Sequence, residues 1–226
     1  MLSSNTLCMY ETNWAKLRAC NGILIPGGFG SRGIDGMINA VQHARENKVP
    51  FFGICLGLQI TVIEAARNQL NLKGASSEEF VTEGLEHNVV VFMPEGSKDI
   101  LGGTMRLGKR MTVLTRDPCI ARAVYGHEQL WERHRHRYEV NPGYKDQLRS
   151  VGLVFSGTNS DGQQERLEVV ERPTSEHPFF FAVQYHPEFK SRVLAPSPPF
   201  AAFVRASHGE RLQEQAFKEG AVTTWD

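Results

Sequence analysis

A cysteine lies between two glycines where an apolar run gives way to a helical pattern. The stretch is Phe51-Phe-Gly-Ile-Cys-Leu-Gly-Leu-Gln59, so Cys55 has a glycine two residues before it and another two residues after it. This spacing is typical of a nucleophile elbow, in which a strand turns sharply into a helix and small neighbours relieve the crowding. We expect Cys55 to be a nucleophile whose pKa is lowered by the helix N-terminus. The alternative is a buried structural cysteine at the end of a strand.

A nucleophilic cysteine needs a base and a group that orients the base, and a second stretch offers both. Phe181-Ala-Val-Gln-Tyr-His-Pro-Glu-Phe189 is predicted to be an apolar strand that delivers His186 at its end, with Glu188 two residues later. The imidazole can accept the thiol proton while the carboxylate holds its second nitrogen. Because His-x-Glu triplets arise by chance, His186 is otherwise a structural histidine in a loop.

A glycine-rich turn follows the apolar run in Ile23-Leu-Ile-Pro-Gly-Gly-Phe-Gly30. Its backbone N–H groups are suited to bind the oxyanion that forms when a thiolate attacks a carbonyl. A competing interpretation is dinucleotide binding, because Gly28-Phe-Gly-Ser-Arg-Gly33 matches GxGxxG. Pro26 and the bulky Phe29 disfavour it, and the ribose-binding acid expected about 20 residues further on is missing.

Short apolar runs alternate with helical patterns in the first third of the chain. Strands are predicted over 22–26 and 49–54 and helices over 35–48 and 58–70, which indicates βαβ units and a parallel sheet. Later patterns predict strands at 88–92, 104–107, 111–114, 151–156, 167–171 and 179–184, a turn and short helix within 140–148, and a helix over 200–209. We therefore expect an α/β fold with an open, mostly parallel central sheet flanked by helices, an added antiparallel region and a flavodoxin-like core.

Composition and charge argue against several classes of protein. The 25 Lys and Arg residues balance 25 Asp and Glu residues, so the chain has no overall attraction to nucleic acid or to an anionic membrane. The apolar runs are too short to span a bilayer. The four cysteines form no CxxC pair and are too sparse for a disulfide scaffold. We expect a cytoplasmic protein with no metal site and with neither a nucleic-acid nor a membrane partner.

A basic run lies in Glu132-Arg-His-Arg-His-Arg-Tyr-Glu-Val-Asn141. Alternation along a strand would put Arg133, Arg135 and Arg137 on one face and His134 and His136 on the other. The simplest interpretation is a solvated basic strand. Zero net charge and the lack of interleaved aromatic residues argue against nucleic-acid binding.

These motifs together resemble a known family, the class I (triad) glutamine amidotransferases, and within it the glutaminase domain of CTP synthases. Five segments carry the resemblance, in this order: Pro26-Gly-Gly-Phe-Gly30, Gly53-Ile-Cys-Leu-Gly-Leu-Gln59, Leu101-Gly-Gly-Thr-Met-Arg-Leu-Gly108, residues 132–141, and His186-Pro-Glu-Phe189. They span roughly residues 20–207, which is most of the chain. A single elbow would not justify the assignment, but five motifs in one order make it specific.

The resemblance implies that Cys55 is the nucleophile, His186 the general base and acid, and Glu188 the residue that orients His186. It implies hydrolysis of L-glutamine through a γ-glutamyl thioester on the cysteine.

The resemblance also implies a binding site for the substrate around the nucleophile. Gly28 and Phe29 match the oxyanion turn, and the backbone N–H of Leu56 is the second donor. Three further positions match residues that contact the substrate glutamine: Gln59, Glu79 and Arg137. The chemistry agrees, because an α-amino group calls for an acid and an α-carboxylate for an arginine, and Glu79 and Arg137 meet that demand.

Partners outside this chain follow from the resemblance too. In CTP synthases the ammonia passes to an N-terminal synthase (amidoligase) domain, which aminates UTP with ATP and magnesium. GTP activates the glutaminase, and the whole enzyme is a homotetramer. The chain has no Gly-x-x-x-x-Gly-Lys-Ser/Thr motif. We expect no cofactor in this domain, and we expect the ATP, UTP and Mg sites in the separate synthase domain.

We expect residues 1–226 to form a single glutaminase domain, an excised C-terminal domain in which 209–226 are a loose tail. The family's opening strand–helix unit is expected to be missing ahead of residue 20, and residues 101–108 to form a lid without a catalytic atom. Three alternatives stay open. They are a free-standing triad amidase or a glutaminase subunit of another pathway, a non-catalytic interaction module, and a dinucleotide-binding protein.

Overall fold

The computed structural model describes residues 4–81, 83–93, 105–160 and 164–212, and within them two sheets are flanked by α-helices. The helices are α1 (Ser4–Arg18), α2 (Ile34–Asn47), α3 (Leu56–Glu64), α4 (Ile120–Tyr125), α5 (Lys145–Ser150) and α6 (Pro198–Ser207). The strands are β1 (Ile23–Ile25), β2 (Phe51–Ile54), β3 (Ser76–Ser77), β4 (Asn88–Phe92), β5 (Arg106–Leu114), β6 (Gln129–His136), β7 (Tyr138–Val140), β8 (Val154–Ser160), β9 (Glu165–Arg172) and β10 (Phe180–Val183). A π-helical turn (Ala65–Gln69) continues α3, and 3-10 turns cover Pro142–Tyr144 and Pro187–Lys190.

Among the described residues, the main sheet has seven strands in the order β1-β2-β10-β9-β8-β5-β6. Strands β1, β2 and β10 run parallel, and the pairs from β10 to β6 are antiparallel. The second sheet has the order β3-β4-β7, with one parallel and one antiparallel pair. The expected α/β class with an added antiparallel region is confirmed, and most of that region continues the main sheet beyond β10.

The parallel end of the sheet is built from apolar residues on both faces. All four residues of β2 are buried, as predicted for a central parallel strand. Helix α2 covers this part of the sheet with a buried stripe at helical spacing, made of Ile34, Ile38, Val41 and Ala44. Every residue of α3 is buried. In the described part of the chain, no helix combines the length and the apolar character needed to cross a membrane.

Phenylalanine pairs fix strand β2 against strand β10. The rings of Phe51 and Phe180 are 4.8 Å apart, and those of Phe52 and Phe181 are 5.9 Å apart. Because side chains alternate along a strand, the first pair enters the core under α2 and α3 and the second enters the core on the other face of the sheet. This packing on both faces holds the carboxyl ends of the two strands side by side.

One sequence prediction about the elements was wrong, and some elements were not predicted. The two strands predicted at 104–107 and 111–114 are one strand, β5, although Gly108 inside it has φ 85°. Gly108 still pairs with His134 of β6, so its positive φ bends the ladder without ending it. Helices α1 and α4 were not predicted.

The predicted tail lies mostly outside the described residues. Of residues 209–226, only 209–212 are described, and there Leu212 is buried in the core that contains Phe181. The motif at residues 101–108 is described only from residue 105.

Candidate active site

Cys55 occupies the sharp turn between β2 and α3. Its backbone has φ 52° and ψ −99°, which is strained for a residue with a side chain, and its N–H donates to the Val183 carbonyl at 2.7 Å. A Cβ at Gly57 would collide with the carbonyl oxygen of Ile25, and a Cβ at Gly53 would lie 2.8 Å from the Gly57 carbonyl carbon. The predicted strand–cysteine–helix turn is therefore confirmed, together with the reason for its two glycines.

His186 follows β10 and is held by its backbone and by its ring. Its N–H donates to the Arg133 carbonyl at 2.8 Å, and its Nδ1 lies 2.6 Å from Oε1 of Glu188. A carboxylate only accepts hydrogen bonds, so in the neutral ring Nδ1 carries the proton and Nε2 has a lone pair. That Nε2 is buried and has no hydrogen-bond partner among the described residues. It is therefore free to accept a proton.

The sheet brings Cys55 and His186 to the same edge. Strands β2 and β10 are parallel with Ile54 opposite Val183, so the residues that follow both strands emerge together at the carboxyl end. Gly27, in the turn after β1, touches both: a Cβ there would lie 2.7 Å from Cε1 of His186 and 3.5 Å from Cβ of Cys55. The predicted nucleophile, the predicted base and the glycine-rich turn therefore lie together at the carboxyl end of the parallel strands.

A pocket of about 340 Å³ opens at this point. Its wall is formed by Pro26, Gly27, Gly28, Phe29, Cys55, Arg135, His186, Glu188 and Phe189. This volume suits a small polar ligand. Sequence reasoning did not place Gly27, Arg135 or Phe189 in the site, although each lies within a motif that was singled out.

The basic strand β6 has the predicted alternation as far as His136, and Arg137, which was predicted to continue it, lies just beyond the end of the strand. His134 and His136 are buried, whereas Arg133 and Arg135 are exposed. The arginines are not simply solvated, because the guanidinium carbon of Arg135 lies 5.7 Å from the centre of the Phe29 ring and that of Arg133 lies 4.7 Å from the centre of the Phe189 ring. The basic face of β6 therefore packs against the two aromatic rings at the pocket mouth.

Glu79 lies next to the glycine turn, Arg137 lies close enough for its charge to act on Glu79, and neither residue is part of the pocket wall. Oε1 of Glu79 accepts a hydrogen bond from the Gly30 N–H at 2.8 Å. Burial raises the pKa of Glu79, while that N–H and the charge of Arg137 act in the opposite direction. Nε of Arg137 is buried and has no hydrogen-bond partner in the described part of the chain. A carboxylate on this turn disfavours a phosphate there, which argues against dinucleotide binding.

The thiol of Cys55 is harder to ionise than the sequence led us to expect. Burial raises the pKa of Cys55 to about 12, and the carboxylates of Glu79 and Glu188 act in the same direction. The N–H of Leu56 and the side-chain amide of Gln184 oppose this rise. The predicted lowering by the helix N-terminus is wrong for the resting site because desolvation outweighs it. Cys55 is therefore a neutral thiol at neutral pH.

A pair of buried glutamines lies next to Cys55. Nε2 of Gln59 donates to the Tyr138 carbonyl at 2.9 Å and to Oε1 of Gln184 at 3.3 Å. Nε2 of Gln184 then donates to Sγ of Cys55 at 3.5 Å. The predicted contact between Gln59 and the substrate stays a prediction. Sequence reasoning missed Gln184, although it lies in the same quoted stretch as His186.

Metal ligands do not gather within the described ranges, where no group of three or more His, Cys, Asp and Glu residues is placed to hold an ion. Cys20, Cys55 and Cys119 are free thiols.

Comparisons with known proteins agree on one family. The model of the family "Glutamine amidotransferase class-I" matches residues 4–206. The CTP synthase of Neurospora crassa is 52% identical over 223 residues, covering 94% of this chain and 38% of the relative. That of Drosophila melanogaster is 52% identical over 199 residues, covering 88% of this chain and 31% of the relative. This chain thus spans about a third of the length of these relatives, 38% and 31%.

One solved structure is covered over a larger share of its length than these relatives are. The glutaminase domain of Trypanosoma brucei CTPS with bound acivicin has a TM-score of 0.82 and 37% identity, over 95% of this chain and 79% of that one.

Proposed function

This chain belongs to the class-I glutamine amidotransferase family and is a glutaminase domain of the CTP synthase type, and from that membership we propose that it hydrolyses L-glutamine with a Cys55–His186–Glu188 triad. The observation that carries the proposal is the convergence on one pocket of a cysteine at a strained turn and a histidine whose Nδ1 is held by a carboxylate. Acivicin, the compound bound to the Trypanosoma brucei domain, is a glutamine analogue, which supports the same substrate class.

The first half of the reaction moves the thiol proton and forms a thioester. Nε2 of His186 takes the proton from Cys55, and the thiolate attacks the side-chain amide carbon of glutamine. Backbone N–H groups of the turn at Gly28 and Phe29, together with the N–H of Leu56, stabilise the oxyanion of the tetrahedral intermediate. His186 then protonates the departing nitrogen, ammonia leaves, and a γ-glutamyl thioester remains on the sulfur.

The second half returns the enzyme to its resting state. His186, again neutral at Nε2, takes a proton from water, and the resulting hydroxide attacks the thioester carbon. The intermediate collapses with Cys55 as the leaving group, and the thiolate recovers its proton from His186. Glutamate is released. Glu188 keeps the proton on Nδ1 throughout and stabilises the imidazolium that forms in each half.

The high pKa of the free thiol fits a site that is silent until the substrate arrives. Because burial raises the pKa of Cys55 to about 12, thiolate is scarce in the empty pocket. Proton transfer to His186 is then coupled to the attack on glutamine. This arrangement limits reaction of the cysteine with other electrophiles.

Recognition of the amino-acid end of glutamine falls to two charged residues beside the pocket. We assign the α-amino group to Glu79 and the α-carboxylate to Arg137, whose Nε has no hydrogen-bond partner among the described residues. Gln59 is the third residue that we expect to contact the substrate glutamine.

The activity of the longer relatives extends the proposal beyond this chain. We propose that the ammonia serves an N-terminal synthase domain, where ATP and magnesium drive the amination of UTP to CTP, with GTP as activator and a homotetramer as the full assembly. Neither a cofactor nor a metal is needed for the glutaminase step itself. The free thiols of Cys20, Cys55 and Cys119 support a cytoplasmic location.

Labelling with acivicin tests the proposal most directly. Intact mass followed by peptide mapping is expected to give one adduct, on Cys55, and excess glutamine is expected to block it. Cys20, an exposed free cysteine in the same chain, is the internal control. A chain that is not labelled, or that is labelled equally on Cys20 and Cys55, would overturn the proposed glutaminase site. Glutamine turnover retained in Cys55→Ala would overturn it as well.

A further inference from the structure

A buried chain of hydrogen bonds reaches the sulfur of Cys55 from residues that do not line the pocket. It begins at the Tyr138 carbonyl, passes through the side chains of Gln59 and Gln184, and ends at Sγ. Gln59 is 3% exposed and Gln184 is 1% exposed. Buried polar groups lower the stability of a fold unless each one has a hydrogen-bond partner. That this series of hydrogen bonds ends at the sulfur of Cys55 therefore indicates a role there.

The chain has a fixed polarity. A backbone carbonyl only accepts, so the group of Gln59 that faces Tyr138 must be its NH2, at 2.9 Å. The second hydrogen of that NH2 meets Oε1 of Gln184 at 3.3 Å. If the amide of Gln184 were flipped, its NH2 would face the NH2 of Gln59, and no hydrogen bond could form between them. The NH2 of Gln184 therefore points at Sγ of Cys55, 3.5 Å away.

Both ends of this chain are anchored by the sheet. The Tyr138 carbonyl also accepts from Nδ1 of His136 at 3.0 Å, and Nε2 of His136 lies 3.1 Å from Nδ1 of His134. Burial lowers the pKa of His136 to about 3, so the ring is neutral and Nε2 accepts from His134. At the other end, the backbone N–H of Gln184 donates to the Glu168 carbonyl at 2.9 Å. The donor that faces Sγ is thus held in one place.

We propose that Gln184 is a further catalytic residue of the glutaminase, whose side-chain amide stabilises the thiolate of Cys55 by hydrogen bonding, with Gln59 as the residue that orients the amide. The inference rests on the proposed function, because the thiolate is the attacking group in the first half of turnover and the leaving group in the second. A hydrogen bond to an ionised acceptor is stronger than one to a neutral acceptor, so the amide favours the thiolate over the thiol and over the thioester.

Gln184 differs in this respect from the other donor near Sγ. The Leu56 N–H also favours the thiolate of Cys55 in the resting site, but it is assigned to the oxyanion once the substrate carbonyl arrives. Gln184 does not line the pocket and stays on the sulfur throughout. The carboxylates of Glu79 and Glu188 both disfavour the thiolate, and His186 and Arg135 line the same pocket as Cys55. The hydrogen bond from Gln184 favours the thiolate, against the effect of the two carboxylates, and it is not displaced when the substrate binds.

The test is the alkylation rate of Cys55 in Gln184→Met, which keeps the length of the side chain and removes the donor. Iodoacetamide is a small neutral electrophile that needs no glutamine pocket, and peptide mapping separates Cys55 from the internal reference Cys20. Loss of one hydrogen bond to a charged group is expected to raise the thiol pKa by about one unit and slow Cys55 alkylation about tenfold at fixed pH. The rate at Cys20 is expected to stay unchanged, and kcat for glutamine to fall more than KM rises.

An unchanged Cys55 rate in folded Gln184→Met would overturn the proposal. An unchanged rate in Gln59→Met would remove the orienting role from Gln59. Failure of the proposed function gives a different result, because the wild-type chain would then lack turnover and acivicin labelling while iodoacetamide still reports on the thiol.

A second measurement needs no substitution at a buried glutamine. In the NMR spectrum, the side-chain NH2 signals of Gln184 in the wild-type chain are compared with those in Cys55→Ala. A shift of the Gln184 signals is expected, while the NH2 signals of Gln42, which donates to Glu46 on the exposed face of α2, are expected to stay in place. Identical Gln184 signals in the two proteins would contradict a hydrogen bond to the sulfur.

Discussion

Oε1 of Glu188 lies 2.6 Å from Nδ1 of His186, while Nε2 of the same ring is buried without a hydrogen-bond partner among the described residues. One nitrogen is thus committed to a carboxylate and the other is left with a lone pair beside the pocket that Cys55 lines. The carboxylate fixes which nitrogen is the base before any substrate binds. The role proposed for Glu188 therefore depends on its being a hydrogen-bond acceptor.

Replacing Glu188 with glutamine is expected to lower kcat for glutamine hydrolysis by about 10²–10⁴. A glutamine amide can donate to Nδ1, which would favour the tautomer with the proton on Nε2 and remove the base. The rate of ammonia release from the purified variant measures the effect. Glu46→Gln, a charge-matched change on α2 away from the pocket, is expected to keep the wild-type rate. A Glu188→Gln variant within about threefold of wild type would contradict the tautomer argument.

Gly27→Ala is expected to abolish most glutaminase activity while the fold survives. The added Cβ would lie 2.7 Å from Cε1 of His186, which is closer than two carbon atoms approach, so the ring must move away from Cys55. Kinetics and acivicin labelling measure the loss, and circular dichroism checks the fold. The matched control is Gly36→Ala in α2, where nothing lies within 4 Å of the added atom. Full activity in Gly27→Ala would show that the imidazole position is not critical.

Gly57→Ala is expected to lower the stability of the fold. Its Cβ would meet the backbone carbonyl of Ile25, which cannot rotate away, and β1 would have to separate from α3. Overpacking of this kind lowers the free energy of unfolding by about 1–3 kcal/mol. Urea denaturation measures it against Gly36→Ala, which should raise helix stability by about 1 kcal/mol. Equal unfolding midpoints for the two variants would contradict the close approach of β1 and α3.

His177 is expected to make the fold acid-sensitive. Its Nε2 donates to the Ala44 carbonyl at 3.0 Å, and burial lowers its pKa from 6.5 to about 4. Between pH 6.5 and pH 4, His177 is therefore protonated in the unfolded chain but neutral in the folded chain. The free energy of unfolding is unaffected by His177 above pH 6.5 and falls as the pH drops from 6.5 toward 4. His177→Gln should flatten the slope of unfolding free energy against pH by about 1.4 kcal/mol per pH unit in that window.

Urea titrations between pH 7 and pH 4.5 measure this slope. His208→Gln, at an exposed histidine of the same chain, should leave it unchanged. His134 and His136 act in the same direction as His177, because burial lowers the pKa of both, so the wild-type slope should be steeper than one histidine can produce. A slope that is the same in wild type and His177→Gln would show that His177 is protonated in the folded protein.

The residues of the proposed triad could be predicted because their constraints are local. Cys55 needs glycines on both sides whatever the rest of the fold does, and His186 and Glu188 are two residues apart in one turn. The burial of β2 was likewise evident from its unbroken apolar run.

What could not be predicted depends on contacts between distant segments. The pKa of Cys55 follows from how deeply the sheet buries the thiol, and the contact of Gln184 with its sulfur follows from the pairing of β2 with β10. Helix α1 was missed because most of its described side chains are exposed, so no apolar stripe reveals it. Strand β5 was predicted as two strands because Gly108 lies between the two apolar runs, whereas the ladder to β6 continues through it.

Of the main-sheet strands that the structure describes, β10 is the last in the sequence, yet it lies in the interior of that sheet, between β2 and β9. During synthesis, β1 and β2 form one group and β5, β6, β8 and β9 another, and neither can join the other until residues 180–183 have left the ribosome. Each group presents an unpaired strand edge until then, at β2 and at β9. The same insertion that closes the sheet also brings His186 to Cys55, so a nascent chain acquires its reactive centre only as the gap between the two groups is filled.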